Sequence, residues 1–401
     1  PDTHTESEVK RLEKIVDLKQ EELQKEIYDQ YIELFDIALK FLKKENILLY
    51  GGTAINSILS KKDKFYSEYE LPDLDMFAVN AKDIANRLIK EFNNKGYDIA
   101  TVREALHSGT WKVTVNGVNI ADITEISKET FNMLKHKSMV GDIGLRVANV
   151  DYLRMTLYYM ISQPIDSHRW INVLKRLLII NRVFPFKRPK SVKTIKAKKT
   201  KTNKATRVGV LNIVKEALKK LPYVLIYEPD IFQEICHTMN MNISKIPNNT
   251  FVLVDGNVKE HATTIINVLK ADNKIYNFRL GHVMPADDFI PEHIIIETDD
   301  GVQIATVFST NSVCMSYNDY ENIRVASIST MIRIFYSLYF SDCKKMLGLS
   351  INSIRSILYV LINITINASK VKSKSPLFEP FVTKCYGTQA TIFTLRRNQF
   401  I

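Results

Sequence analysis

The sequence predicts an α+β protein in which two similar units, each a mixed sheet with flanking helices, follow one another along the chain. Short β-rich runs alternate with amphipathic helical segments, and two of these runs flank Asn116-Gly117 in the manner of a β-hairpin. Five elements of the first half recur in the same order in the second half. At 401 residues, the chain is long enough for two or three domains.

The first half is expected to open with a long helix and to continue as a small α+β unit, because apolar residues recur first at helical and then at strand spacing. The expected elements, in order, are a helix over 7–45, a strand over 46–50, a helix from Thr53, a strand over 74–79, a helix over 82–96, a hairpin over 110–124, and helices over 148–164 and 168–184.

The second half repeats these elements but lacks one group of polar residues. The matched pairs are 225–235 with 48–58, 246–256 with 71–81, 259–269 with the helix after the second strand, 292–307 with 110–124, and 325–340 with 147–162. The residues that differ are Glu228-Pro229 in place of Gly51-Gly52, Asn248 and Thr250 in place of Asp73 and Asp75, and Thr306 in place of Asp122. A copy that keeps its packing positions and loses two glycines and three aspartates indicates that this group carries the chemistry of the first copy.

These patterns divide the chain into six regions. They are an N-terminal helical region over 1–45, an α+β domain over 46–150, a helical extension over 151–185, a basic linker over 186–207, the degenerate α+β domain over 208–345 and a C-terminal helical region over 346–401.

Positive charge is concentrated in the basic linker. The chain has a net charge of +11, and residues 186–207 alone carry ten Lys or Arg and no acid. Such a segment suits a polyanion, most simply nucleic acid, through neutralisation of phosphates. A solvated linker whose lysines repel each other is an equally good interpretation.

Membrane, secreted and zinc-binding classes are disfavoured. The apolar run 357–366 is too short to cross a bilayer, and the polar N-terminus has no signal-peptide core. The four cysteines have no CxxC spacing and no accompanying histidine cluster. We therefore expect an intracellular, soluble protein with reduced thiols and no membrane partner.

The glycines and aspartates together suit a metal-bound triphosphate. Side chains alternate along a strand, so Asp73 and Asp75 project from the same face, and Asp122 joins them if its hairpin strand pairs beside theirs. Three carboxylates of this kind suit two Mg²⁺ or Mn²⁺ ions. The turn Gly51-Gly52 lets the backbone approach a phosphate closely, and Thr53 adds a hydroxyl donor.

This arrangement resembles the DNA polymerase β-like nucleotidyltransferase superfamily, whose pattern is a GG[S/T] turn, a DxD or DxE pair and a third carboxylate on a later strand. Within it, the organisation is similar to the poly(A) polymerases of large nucleocytoplasmic DNA viruses, of poxvirus or giant-virus type. The resemblance implies that two tandem nucleotidyltransferase-like units are present, the first active and the second degenerate. It implies template-independent addition of AMP from ATP to an RNA 3′ end, with release of pyrophosphate. Asp73 and Asp75 would hold both metal ions, and Asp122 the ion that activates the 3′-hydroxyl.

Other expectations rest on weaker patterns. Lys175 is a candidate contact to the triphosphate or to the RNA backbone, although a solvated helix face is the commoner explanation for such a lysine. The lysines expected to contact RNA are Lys193, Lys196, Lys198, Lys199, Lys201 and Lys204. The degenerate unit either buttresses the first or forms a surface for a homodimer or a processivity partner. The resemblance implies a location in the host cytoplasm, at the viral factory, or in the virion.

Two alternative functions stay open. The first is another nucleotidyltransferase, such as a CCA-adding enzyme, a uridylyltransferase or an oligonucleotide-signal synthase, since the three aspartates serve all of these. The second is a non-catalytic binding or processivity subunit, which the retention of every expected carboxylate in the first copy disfavours.

Overall fold

The computed structural model of the protein describes most of the chain, and the described part forms two compact units, residues 1–153 and residues 154–394. The described residues are 3–106, 108–194, 210–243, 247–272, 277–341, 347–367, 373 and 375–389. The domain boundaries proposed from the sequence stay predictions, and most of the basic linker, residues 195–207, lies outside the described residues.

The first unit contains a seven-stranded mixed sheet with the strand order β3-β4-β5-β2-β1-β7-β6. Strands β2 and β5 are parallel, as are β1 and β7, whereas the other neighbours are antiparallel. Its elements are α1 (Thr3–Leu42), β1 (Leu48–Leu49), α2 (Gly51–Ser57), β2 (Leu74–Ala78), α3 (Ala81–Asn94), β3 (Ala100–Glu104), β4 (Thr110–Val115), β5 (Val118–Glu125), α4 (Lys128–Lys135), β6 (Met139–Val140), β7 (Arg146–Val147) and the start of α5 (Val150–Ile161).

Local sequence explains the parts of this unit that position the site. Helix α3 buries Ile84, Leu88 and Phe92 at helical spacing. The turn between β4 and β5 has positive φ at both Asn116 (51°) and Gly117 (81°), which is the conformation that two-residue hairpins require. The hairpin is therefore fixed by its turn, and β5 returns to the centre of the sheet.

The second unit contains an eight-stranded sheet with the order β12-β13-β14-β11-β9-β16-β15-β17 and a separate pair, β8 with β10. Its remaining elements are α6 (Trp170–Val183), β8 (Val192–Thr194), α7 (Val210–Lys219), β9 (Val224–Tyr227), α8 (Pro229–Thr238), β10 (Met241–Ile243), β11 (Thr250–Val254), α9 (Val258–Asp272), β12 (Phe278–Met284), β13 (His293–Thr298), β14 (Gln303–Ser309), β15 (Met315–Tyr320), β16 (Ile323–Ala326), α10 (Ile328–Phe340), α11 (Ile351–Ile366) and β17 (Cys385–Tyr386).

The two sheets have the same topology, which confirms the internal repeat and the α+β class. Each of the seven strands of the first sheet has a counterpart at the same place in the second, and β17 is the additional strand. The directions also agree, because β11 runs parallel to β14 and β9 parallel to β16, as β2 does to β5 and β1 to β7. The repeat is thus a repeat of a whole sheet and not only of sequence pattern.

Several strands were not predicted: β3, β6, β7, β8, β10, β12, β15, β16 and β17. The edge strand β3 carries Thr101, Arg103 and Glu104, which are exposed, so it lacks the apolar alternation that marks a half-buried strand. The C-terminal region was expected to be helical, but it contains α11 and then the two-residue strand β17, which pairs with β15. A strand this short gives no periodic signal.

The expectation of reduced thiols is wrong for one pair of cysteines. Cys314 and Cys385 form a disulfide bond, with their Cα atoms 5.4 Å apart. They lie 71 residues apart in the chain and meet because β17 pairs with β15, where Ser316 lies opposite Cys385. Cys236 is a buried free thiol, as expected.

No helix in the part of the chain that the structure describes combines the length and hydropathy needed to cross a membrane.

The core of the second unit contains a histidine that is nearly inaccessible. His293 in β13 is 1% exposed, and its ring stacks on Phe308 with 5.3 Å between ring centroids. Its Nδ1–H donates to the carbonyl oxygen of Pro291 at 3.1 Å, while Nε2 is buried without a hydrogen-bond partner. Burial lowers the pKa of this imidazole, although the Pro291 carbonyl and the nearby Asp287 and Glu292 partly oppose the shift.

We predict that His293 makes the second unit less stable in mild acid. Because its pKa is lower in the folded protein than in the unfolded chain, the unfolded chain binds more protons as the pH falls below about 6.5. The free energy of unfolding should therefore decrease there, by at most about 1.4 kcal/mol per pH unit from this group. Denaturant unfolding of wild type and His293→Phe at pH 7.5 and 5.5 measures the difference.

A matched control is His282→Gln, since His282 is an exposed histidine on the neighbouring strand β12. This variant should keep the wild-type pH dependence. If His293→Phe and wild type lose stability equally between the two pH values, His293 is not the group responsible.

Candidate active site

Two of the three predicted aspartates lie side by side in the first sheet. Asp75 in β2 is directly opposite Asp122 in the parallel strand β5, so the two side chains project from the same face. Asp73 stands immediately before β2, two residues from Asp75, and is exposed to solvent. The hairpin strand β5 therefore pairs with the aspartate-bearing strand β2, as the sequence predicted.

The glycine turn contacts this carboxylate pair. Gly51 has a φ of +76°, and a Cβ atom at this position would come within 2.8 Å of Oδ2 of Asp75. A side chain is therefore excluded both by backbone conformation and by the close approach of the carboxylate. Gly52 follows in the first turn of α2, which begins at Gly51 and not at Thr53 as the sequence indicated.

Two hydrogen bonds hold the turn against the strand that carries the aspartates. The backbone N–H of Tyr50 donates to the carbonyl oxygen of Asp75 at 2.9 Å. The backbone N–H of Asp73 donates to Oγ1 of Thr53 at 3.0 Å. Thr53 is 5% exposed, and in this structure its hydroxyl positions the DxD segment. The role of phosphate donor predicted for Thr53 stays a prediction.

Tyr50 is a site residue that the sequence analysis did not identify. Its hydroxyl lies 3.2 Å from Oγ1 of Thr124, two residues beyond Asp122 in β5, and its ring stacks on Phe77 at 4.0 Å. Burial, and then the negative charge of Asp75, raise the pKa of Tyr50 to about 12, with Asp122 and Asp73 adding to the effect. All three carboxylates thus act on one hydroxyl. The only sequence signal was its position next to the glycines.

Lys112 is a second residue that sequence reasoning missed. It lies in β4 opposite Asp122, and its Nζ is 2.9 Å from Oδ2 of that carboxylate. Both side chains are largely shielded, at 25% exposure for Lys112 and 21% for Asp122. Oδ1 of Asp122 is buried and has no hydrogen-bond partner in the described residues. The sequence did contain a signal for this contact. Lys112 and Asp122 lie at nearly equal distances before and after the Asn116-Gly117 turn, so a hairpin brings them opposite each other.

The donor set fits a divalent cation of the Mg²⁺ type. Carboxylate oxygens are its preferred ligands, and the buried Oδ1 of Asp122 is left without a partner beside Asp75. Within the described residues, no three His, Cys, Asp or Glu side chains are already gathered as a metal cluster. Lys112 is the cation next to Asp122 in this structure.

The corresponding region of the second unit is closed by its own side chains. The carboxylate of Glu228, at the position of Gly51, accepts a hydrogen bond from the N–H of Ile231 at 2.9 Å and caps α8. Burial raises the pKa of Glu228. The ring of Tyr227 packs at 5.5 Å from each of Phe232, Phe251 and Phe335. This region therefore has neither the carboxylates nor the open glycine turn of the first unit.

One equivalence drawn from the sequence is shifted by one residue. Thr306, the counterpart of Asp122, lies opposite Phe251 in β11 and not opposite Thr250, which lies opposite Ala305. The β11–β14 pairing is regular from Thr250 to Val254, so the difference lies in the sequence match of the two strands and not in a distortion of their pairing. By this register, Phe251 occupies the place that Asp75 has in the first sheet.

The remaining predicted binding residues lie in the second unit or outside the described residues. Lys175 is exposed on α6, in the second unit, and Lys193 is exposed in β8. Five residues lie outside the described part of the chain: Lys196, Lys198, Lys199, Lys201 and Lys204.

Comparisons with known proteins agree with this site. Residues 36–167, which include all three aspartates and the glycine turn, match the family model described as "Poly(A) polymerase catalytic subunit". A protein of African swine fever virus (strain Badajoz 1971 Vero-adapted), assigned as a poly(A) polymerase catalytic subunit, is 30% identical over 159 residues, or 37% of this chain and 33% of that protein. Its counterpart from isolate Pig/Kenya/KEN-50/1950 is 29% identical over the same shares.

The fold also has a solved counterpart. The crystal structure of the Megavirus polyadenylate synthase aligns with a TM-score of 0.75 and 17% identity, covering 100% of this chain and 83% of that one. The sequence matches span about a third of the length of the African swine fever virus relatives. In residues 36–167 this chain therefore matches the poly(A) polymerase catalytic-subunit family, and the predicted resemblance to the poly(A) polymerases of large DNA viruses is confirmed.

Proposed function

We propose that the protein is a template-independent polyadenylate polymerase, which transfers AMP from ATP to the 3′ end of RNA and releases pyrophosphate. The observation that carries this proposal is the adjacency of Asp75 and Asp122 on parallel strands, with the glycine turn at Gly51 against Asp75. Two carboxylates on one sheet face are costly unless they bind cations. A glycine turn beside them lets the backbone approach a phosphate closely, because it has no Cβ atoms.

The aspartates have distinct tasks in this proposal. Asp73 and Asp75 would hold both divalent ions, and Asp122 would bind the ion that activates the RNA 3′-hydroxyl. Mg²⁺ or Mn²⁺, when bound, supplies Lewis-acid stabilisation of the attacking and leaving oxygens in an in-line displacement. Tyr50 stays protonated at neutral pH, so it acts as a hydrogen-bonding and packing residue of the site and not as a base.

The names of the relatives support the choice of reaction and suggest a partner. The matched family and the African swine fever virus proteins are named catalytic subunits of poly(A) polymerase, and the structural counterpart is named a polyadenylate synthase. ATP and an RNA 3′ end are accordingly the proposed substrates. A catalytic subunit also implies a further subunit, and a processivity partner or a second copy of this chain would meet that need.

RNA binding is proposed for the basic linker, with Lys193 at its described end. Its ten positive charges are enough to neutralise several phosphates of a single strand. Lys175 is proposed as a contact to the triphosphate or to the RNA backbone.

The competing function is another transfer reaction with the same three aspartates, such as CCA addition, uridylyl transfer or synthesis of an oligonucleotide signal. The matched family favours adenylate as the transferred group. A non-catalytic subunit is disfavoured because the first unit keeps Asp73, Asp75, Asp122 and the glycine turn.

The first prediction concerns the adjacent aspartates. Asp75→Asn and Asp122→Asn should each reduce RNA tailing by at least about a hundredfold, because each removes a charged oxygen ligand while preserving side-chain volume. Extension of a labelled oligoadenylate primer with ATP and Mg²⁺ measures the effect, and thermal unfolding checks the fold.

The second unit supplies a matched control. Thr306→Val changes the residue that corresponds to Asp122 in the degenerate sheet. It removes a buried hydroxyl that has no hydrogen-bond partner in the described residues, so it should leave tailing within about twofold of wild type. Tailing that survives in Asp75→Asn or Asp122→Asn would remove these residues from the reaction.

Alanine substitutions at two glycines separate the effect of backbone strain from that of contact with the Asp75 carboxylate. Gly51→Ala and Gly117→Ala both place a Cβ at positive φ, but only the former meets Asp75, at 2.8 Å, whereas nothing lies within 4 Å at Gly117. Both variants should be destabilised by about 1 kcal/mol. Only Gly51→Ala should also lose tailing, by about tenfold or more, in primer extension at saturating ATP. Equal activity in the two variants would mean that the close approach at Gly51 serves folding alone.

A further inference from the structure

A row of charged residues crosses the first sheet on the face that carries the aspartates. Consecutive cross-strand neighbours place Arg103 of β3 beside Lys112 of β4, Lys112 beside Asp122 of β5, and Asp122 beside Asp75 of β2. The row thus contains two basic residues followed by two acidic residues. Lys112 lies at the point where the sign of the charge changes.

The position of Lys112 directs its ammonium group towards the carboxylate. On one side Asp122 attracts it, with Nζ and Oδ2 2.9 Å apart, and on the other side Arg103 is a like charge. With about a quarter of each side chain exposed, the pair is screened less than a surface ion pair. Lys112 therefore neutralises one oxygen of Asp122 by direct contact.

A cation in contact with a carboxylate competes with any other cation for that carboxylate. Oδ2 of Asp122 is engaged by Lys112, and Oδ1 of the same group is buried without a partner.

From this geometry we infer that Lys112 is a positioning residue that lowers the affinity of the nucleotide-free site for divalent cations by holding Asp122. Loading of the ion that uses Asp122 then requires displacement of the ammonium, and a bound triphosphate, with its several negative charges, would favour that displacement. The site would thus take up its full set of cations together with the nucleotide. This inference rests on the proposed function for the identity of the nucleotide, but its effect on cation binding exists without any turnover.

The test is a measurement of Mn²⁺ binding to the nucleotide-free protein. Electron paramagnetic resonance reports the concentration of the free ion during the titration. The neutral variants Lys112→Met and Lys112→Gln should bind Mn²⁺ about fivefold to tenfold more tightly than wild type, because the competing charge is gone. Lys112→Arg keeps the charge and should bind Mn²⁺ as wild type does. In the presence of a non-hydrolysable ATP analogue, the difference between wild type and the neutral variants should shrink to twofold or less.

Lys64→Met is the control for a general change in charge. Lys64 is also ion-paired in the first unit, with Asp142, and does not contact the three aspartates through that pair. An unchanged Mn²⁺ affinity in both neutral Lys112 variants would overturn the inference, as would an equal gain in Lys64→Met. If wild type does not tail RNA but the neutral Lys112 variants still bind Mn²⁺ more tightly, only the proposed reaction is wrong. If wild type tails RNA but the neutral Lys112 variants bind Mn²⁺ as wild type does, only this inference is wrong.

Discussion

The adjacency of two carboxylates on parallel strands is the constraint on which the rest of this structure depends. Asp75 and Asp122 are placed in register by the β2–β5 pairing, and their mutual repulsion must be offset by nearby positive charge. In the structure, Lys112 offsets it beside Asp122, and the lack of a Cβ at Gly51 lets the glycine turn lie against Asp75. The turn, the strand and the hairpin are therefore parts of one electrostatic arrangement and not independent motifs.

The second unit shows what the same sheet becomes when that constraint is removed. Its strand order and strand directions are those of the first sheet, yet aromatic rings around Tyr227 fill the region and Glu228 caps α8. The same strand order is thus compatible with an apolar interior in place of the carboxylates. The two copies share the strand order of the sheet but differ in the aspartates and the glycine turn.

Much of this could be predicted from the sequence, because the determinants are local. Asn116-Gly117 fixed the hairpin, helical spacing fixed α1 and α3, and the coordinated loss of glycines and aspartates in the second half indicated the site. What could not be predicted depends on which strands become neighbours. Lys112 meets Asp122 only through the β4–β5 register, and the disulfide between Cys314 and Cys385 forms only because β17 joins β15. That Phe251 and not Thr250 lies opposite Thr306 is likewise decided by the β11–β14 register.

We propose that the aspartates and the glycine turn of the first unit perform metal-dependent adenylyl transfer to RNA. The most direct measurement is extension of a short RNA primer by the full chain with each of the four ribonucleoside triphosphates separately, first with Mg²⁺ and then with Mn²⁺. We expect extension with ATP, with one pyrophosphate released for each nucleotide added, and no extension without a divalent ion. Preferred incorporation of UMP, a cyclic product formed without RNA, or no transfer under either metal would contradict it.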